Sequence, residues 1–265
     1  MSNTEFVTAF YDIGRESWKE FSRCTDVYIQ RFHNMANRLD NCFVVYTSSE
    51  LVSKIQRGLE KNNVKIIQKD FKRDFSERIE RVTEIQNSEA FSKNISRYSE
   101  VVGYDIKQQF PEYHKPLYTV LMLSKLDFIQ DAIVNNYVTK PYTGWIDFGY
   151  IAEDKDFWGK TSYHADWEDN KIRLLQRVRF NQSTVNVKKR MLTNTSPLSG
   201  GAYVAKKRAF SEFLNLWNNQ LDFYLSRDIV DDDQGFLLAC LVKKPELFEC
   251  INTCGEWRFL LATGH

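Results

Sequence analysis

Apolar positions along the first seventy residues change rhythm repeatedly. Phe6-Val7-Thr8-Ala9-Phe10-Tyr11 is a β-branched and aromatic run ending at Asp12 and Gly14, which predicts a buried strand. Trp18, Phe21, Tyr28, Phe32, Met35 and Leu39 then recur mostly at steps of three and four, the spacing of one helix face. Residues 42–46 (CFVVY) form a second strand pattern. Ser48 or Ser49 caps a helix with Leu51, Ile55 and Leu59 on one face, and residues 64–67 (VKII) read as a third strand. Strand, helix, strand, helix, strand at this spacing predicts a parallel sheet with Rossmann-like winding.

Residues 72–114 are more polar. Phe75, Ile79, Val82 and Ile85 suit a polar helix, and the stretch through Ser88, Asn94 and Ser96 is hydrophilic, so a helical or flexible excursion from the sheet is expected. Pro116 opens a long helix with Leu117, Val120, Leu121, Ser124, Phe128 and Ala132 on one face. Gly144-Trp145-Ile146 is a short strand running into Asp147, and residues 172–178 supply another. Residues 199–205 (SGGAYVA) read as a Gly-rich turn entering a strand. Phe210, Phe213, Leu214, Trp217 and Leu221 mark a helix, and Asp231-Asp232-Asp233-Gln234 opens one through Leu237, Leu238 and Leu241. Phe259-Leu260-Leu261 reads as a final strand before His265. With no repeat, low-complexity tract or Pro-rich linker, a single domain over residues 1–265 is expected.

Composition narrows the function. At 265 residues the chain can bury a sizeable core without staples. The 36 basic and 35 acidic residues leave a net charge of +1, which excludes the strongly basic footprint of a general nucleic-acid binder. Nineteen Phe, 13 Tyr and six Trp fit either an aromatic core or a cleft that stacks sugars or bases. The five cysteines form no CxxC pair, as in a protein with free thiols in a reducing compartment. The opening MSNTEFVTAFYD has no charged leader before an apolar run, and no stretch approaches the ~20 apolar residues of a spanning helix. A cytoplasmic location is therefore expected, with peripheral association at the inner face of the membrane at most.

Three features carry candidate chemistry. Asp147, in Trp145-Ile146-Asp147-Phe148-Gly149, stands at the C-terminal end of a central strand, where open α/β sheets collect ligands. A carboxylate there suits Mg²⁺ or Mn²⁺ bridging a diphosphate, and Gly149 leaves room for phosphate; a turn aspartate is the alternative. Lys125, flanked by Leu121, Leu123 and Leu126, could reach phosphate or sugar oxygens, although a lone helix lysine is usually a solvated charge. Asp231 and Asp232 fit caps at a helix N-terminus, while Asp233 and Gln234 are the functional candidates.

These segments occur in the order seen in GT-A glycosyltransferases of the glycogenin and LgtC type. The opening FVTAFYDIGR and the WIDFG centre resemble more closely the HtrL/YibB family of bacterial proteins, over nearly the whole chain. The resemblance implies a GT-A-like α/β domain, a Rossmann-like mixed sheet flanked by helices. It implies that Thr8, Ala9 and Tyr11 cradle the base and ribose, and that Arg15 reaches the diphosphate. Lys125 then lies near the donor phosphates and sugar, Gly200 and Gly201 line the donor sugar and acceptor, and Asp233 and Gln234 lie under the transferred sugar. Asp147 matches the first acid of an Asp-x-Asp metal motif, with His265 as a second metal ligand. Gly149 departs from that motif, since it replaces the second acid.

The function so implied is a bacterial glycosyltransferase, metal-assisted and retaining. It would move a sugar from a UDP-sugar to a glycan or glycolipid acceptor such as lipopolysaccharide, lipooligosaccharide or another surface polysaccharide. The alternative is a catalytically silent nucleotide-sugar-binding or interaction protein of the same fold. Asp147-Phe148-Gly149 also spells a kinase motif, but the chain lacks a GxGxxG loop, a VAIK-like strand and an HRD loop. Absence of GxGxxG after the first strand argues equally against a dinucleotide enzyme. No HExxH or clustered histidines suggest a zinc hydrolase.

Overall fold

Seven strands form one sheet in the computed structural model, which describes residues 2–264. They are β1 (Thr4–Phe10), β2 (Cys42–Thr47), β3 (Val64–Gln68), β4 (Tyr142–Ile146), β5 (Ile172–Gln176), β6 (Leu198–Lys206) and β7 (Phe248–Asn252). Their spatial order is β3-β2-β1-β4-β6-β5-β7. β3, β2, β1 and β4 run parallel, β6 is antiparallel to both β4 and β5, and β7 is parallel to β5. The result is the mixed α/β sheet flanked by helices that the sequence implied, with the parallel half assembled from the first three strands as expected.

Eleven helices accompany the sheet: α1 (Thr25–Arg38), α2 (Ser49–Arg57), α3 (Phe71–Asp74), α4 (Ser76–Asn87), α5 (Glu89–Val102), α6 (Ile106–Gln109), α7 (Pro116–Leu123), α8 (Lys125–Val134), α9 (Val187–Met191), α10 (Ala209–Leu225) and α11 (Asp233–Lys243). β1 is buried at every position, as a strand covered on both faces must be. Its side chains alternate between two apolar layers. Val7, Ala9 and Tyr11 join one with Phe128 of α8, Trp217 of α10 and Phe236 of α11. Phe6 and Phe10 join the other with Phe32 of α1 and Ile55 of α2.

Several local expectations differ from the structure. α1 begins at Thr25, and Trp18 and Phe21 lie in the loop before it; Phe21 takes a positive φ of 57°, and Trp18 meets Tyr118 edge to face. The 72–114 stretch is four short helices plus a 3-10 turn, and it buries Val82, Ile85, Phe91, Ile95 and Tyr113 in the layer that contains α8. The long helix after Pro116 is two helices that meet at Ser124. There the hydroxyl bonds back to the Val120 carbonyl at 2.8 Å, a contact that bends helices. Gly200 and Gly201 sit inside β6, not in a turn before it. Leu260 and Leu261 belong to a 3-10 turn (Leu260–Thr263) that Phe259 precedes, instead of a strand, and the last strand among the described residues is β7, whose mixed burial gives no clean alternation.

Candidate functional site

A cleft of about 450 Å³ opens where the C-terminal ends of β1 and β4 meet the start of β6. The chain winds from β1 out to β3 and then crosses to β4 on the other side of β1, so the carboxyl ends of β1 and β4 form the switch point at which open α/β sheets leave a crevice. Asp147 takes its place there for local reasons. Its amide extends the ladder to the Gly201 carbonyl at 2.8 Å, and its carbonyl accepts from Tyr150 N at 2.8 Å to close a turn. The intervening Phe148 is stacked between Phe10 at 4.6 Å and Phe32 at 4.3 Å, which pins the segment and leaves Asp147 and Gly149 on the cleft wall.

Lys125 occupies the centre of the charged constellation. As the first residue of α8 it is only 2% exposed, and its ammonium meets Asp147 Oδ1 at 2.9 Å, Asp233 Oδ2 at 2.8 Å and the Gly200 carbonyl at 2.9 Å. Burial pulls its pKa down, but the two carboxylates outweigh that and hold it above the usual lysine value, so the ammonium is charged. Trp145 donates from Nε1 to Asp147 Oδ1 at 2.7 Å, and its ring lies 5.4 Å from the Lys125 ammonium. Asp147 remains 40% exposed and its Oδ2 has no partner among the described residues, whereas Asp233 is 4% exposed.

The glycines of β6 are what let α11 approach. A Cβ on Gly200 would lie 2.0 Å from Asp233 Oδ2, so any side chain there would push Asp233 away from Lys125. A Cβ on Gly201 would crowd the Tyr150 ring at 3.1 Å. Asp232 is the N-cap of α11, since Oδ1 accepts from Gln234 N at 2.9 Å. Its Oδ2 accepts from Gln234 Nε2, also at 2.9 Å, which fixes the amide at the cleft wall. The cap therefore falls on Asp232, as the sequence allowed, and Asp233 is the first helical residue.

Burial raises the acids of this end. Asp233 is pushed up by desolvation despite the opposing field of Lys125. Asp231 is raised by burial and then by Asp232 and Glu112, while Glu112 is raised by burial and then by Asp232. Asp231 Oδ1 and Glu112 Oε1 have no hydrogen-bond partner among the described residues.

The structure thus brings Ala9, Tyr11, Arg15, Lys125, Asp147, Gly149, Gly200, Gly201, Asp233 and Gln234 to one cleft. Thr8 is a correction. It lies in mid-strand, fully buried, with its hydroxyl enclosed and unpartnered among the described residues, because only the last residues of β1 reach the crevice. Tyr11 borders the cleft with its ring packed on Phe71 and Phe128, and its buried hydroxyl is held well above the ordinary tyrosine range, first by desolvation and then by Asp74. His265 lies outside the described residues. Among those residues no three His, Cys, Asp or Glu side chains gather as a metal site. Sequence reasoning missed Trp145, Tyr28, Tyr118, Arg23, Trp257 and Arg258, which also bear on the site. Only Trp145, two residues before Asp147, carried a local signal.

The family model described as "Bacterial protein of unknown function (HtrL_YibB)" matches residues 2–262. The chain belongs to this family. It is similar to Protein HtrL of Escherichia coli strain K12, with 28% identity over 267 residues covering 97% of this chain and 90% of that protein. Among solved structures it is similar to mouse xyloside xylosyltransferase 1 in its apo form. That similarity has a TM-score of 0.45 and 11% identity, and it covers 94% of this chain and 84% of the mouse chain. Among the described residues no helix is long and apolar enough to cross a membrane.

Proposed function

We propose that this protein is a glycosyltransferase that takes a sugar from a nucleotide donor, with a UDP-sugar as the donor class and a surface glycan or glycolipid as the acceptor. The observation that carries the reading is the Lys125 ammonium fixed between Asp147 and Asp233 at the carboxyl end of the sheet. Cleaving a sugar–phosphate bond leaves a strongly anionic diphosphate and an electron-poor anomeric carbon. Lys125 gives its three N–H donors to Asp147 Oδ1, Asp233 Oδ2 and the Gly200 carbonyl, so it holds the two carboxylates in place. Oxygens of Asp233 and Gln234 suit the cationic sugar, while the leaving diphosphate calls for further positive charge. Gly200 and Gly201 line the cleft and let Asp233 and Tyr150 come close to the β6 backbone.

A divalent ion belongs to this reading. The Asp147 side chain is 40% exposed and its Oδ2 has no partner among the described residues, so it would suit as one ligand of a hard cation, with donor oxygens and water as the others. When bound, such an ion neutralises charge on the leaving group. A second reading, a nucleotide-sugar-binding protein without turnover, is favoured by one observation. Gly149 removes the second motif acid, and Lys125 already engages both remaining carboxylates.

Hydrolysis assays on a panel of UDP-, GDP- and CMP-sugars with Mn²⁺, beside calorimetry with UDP, separate these readings. UDP-sugar turnover that is lost in Asp147→Ala and lowered by EDTA is the expected result. UDP binding without turnover supports the silent binder, and no nucleotide binding under any condition rejects both.

A further inference from the structure

Beyond Gly149, the cleft wall carries a different charge. Arg23 and Arg258 line it, and Arg31 lies just behind. Among the described residues Arg23 reaches only the Tyr28 hydroxyl, at 3.5 Å, and its guanidinium lies 5.8 Å from that ring. Arg31 Nη1 is buried and donates to nothing among the described residues. Arg258 has one carboxylate, Asp156 Oδ2 at 3.5 Å, and that oxygen already accepts from Ala152 N at 2.9 Å and Glu153 N at 3.0 Å. Glu153, an acid nearby, is exposed and paired with Lys155 at 2.9 Å. Burial, and then the positive fields of Arg23 and Arg258, hold the Arg31 guanidinium below its ordinary pKa, against weaker help from Tyr28 and Asp156. Three like charges are thus held together with too little anion to balance them.

Gly149 explains why no acid joins them. A Cβ there would stand 2.8 Å from Tyr28 Cδ1 and 3.7 Å from Arg31 Cδ, so an aspartate at this position would drive into the Tyr28 ring. The same crowding that excludes the second motif acid brings Arg31 up to the backbone where that acid would stand. Guanidinium groups suit phosphate because they offer planar, two-pronged donors that remain charged.

We propose that Arg23, Arg31 and Arg258 form an anion seat that holds the diphosphate of the donor beside Gly149, so that guanidinium charge stands where a second motif carboxylate would. The identity of the anion rests on the nucleotide-sugar reading above; the seat itself rests on the arginines. Donor binding then has a component that needs no metal ion.

Titration calorimetry in excess EDTA tests this with UDP, uridine and inorganic pyrophosphate, on the wild type and on Arg23→Gln/Arg258→Gln. The wild type is expected to bind UDP and pyrophosphate under chelation. The double variant should bind both at least tenfold more weakly, with uridine unchanged. Arg23 is exposed, so Arg23→Gln alone keeps the fold and should show a several-fold loss. Equal affinity in wild type and variants overturns the proposal, as does wild-type binding of UDP only when Mn²⁺ replaces EDTA; the second result leaves the nucleotide reading standing. Binding of pyrophosphate but not UDP supports the seat and removes the nucleotide. Binding of none of the three ligands, with or without Mn²⁺, removes both.

Discussion

Asp233 shows how a residue can be picked out for the cleft from sequence for an incomplete reason. Three consecutive aspartates before an apolar helix mark a helix start, and Asp233 with Gln234 stands at that start. What the sequence does not reveal is that Asp232 is the cap and that Asp233 turns inward to Lys125, which requires a glycine at position 200 on a different element. That long-range fit has no local pattern. It also changes what Asp233→Asn should do. The amide keeps a hydrogen bond to Lys125 but loses the charge, and Lys125 retains Asp147, so the fold should survive with a lowered melting temperature. If Asp233 acts on the sugar, UDP affinity stays within a few-fold while turnover falls by ~100-fold, the cost of one positioned transition-state interaction of about 3 kcal/mol. Wild-type turnover in the folded variant would remove Asp233 from the chemistry. Thr8 fails for the opposite reason: its motif is distinctive, but strand alternation and depth decide which residues reach the crevice.

At the scale of elements, β1, β2, β3 and α2 were legible because each is short, strongly patterned and bounded by turn residues. The break between α7 and α8 was not, because apolar spacing continues across it. Ser124 stands in that continuous stripe, yet its hydroxyl bonds to the Val120 carbonyl while accepting from Arg78 Nη1 at 3.0 Å, and Arg78 also holds Asp127 at 2.6 Å. The junction makes Lys125 the first residue of a new helix and aims it into the cleft. Ser124→Ala removes both hydroxyl contacts and leaves Arg78 short of a partner, at a cost of about 1–2 kcal/mol. The expected result is a fall in melting temperature together with a loss of turnover, because Lys125 shifts with the helix. A destabilised variant with full turnover per folded molecule would show that the bend does not position the lysine. β7 escaped notice because its burial follows neither a clean alternation nor an unbroken apolar run.

For the whole molecule, near-neutral net charge conceals strong local imbalance: raised, buried acids around the start of α11 and crowded arginines beside Gly149. The acids make stability depend on pH in a definite direction. Glu112 and Asp231 have folded pKa values above their unfolded ones, so the folded state binds protons more tightly. Their penalty is absent below the ordinary carboxylate range and grows as pH rises from there toward the raised folded values. Glu112→Gln should therefore raise the melting temperature near pH 8, by roughly 2–4 °C for each kcal/mol relieved, and have little effect near pH 4. An equal shift at both pH values would mean that packing, not charge, is responsible. The C-terminal segment adds a last property. Tyr150 donates to the Trp257 carbonyl at 3.2 Å and accepts from Leu260 N at 3.1 Å, and Arg177 lies 3.8 Å over the indole of Trp257, which remains 43% exposed on the cleft. An indole half in water at the mouth of a binding cleft is an optical gauge of what enters it. Ligands that displace water from that ring should move its emission to shorter wavelength, and the signal should vanish in Trp257→Phe, so occupancy can be followed by fluorescence before any product is known.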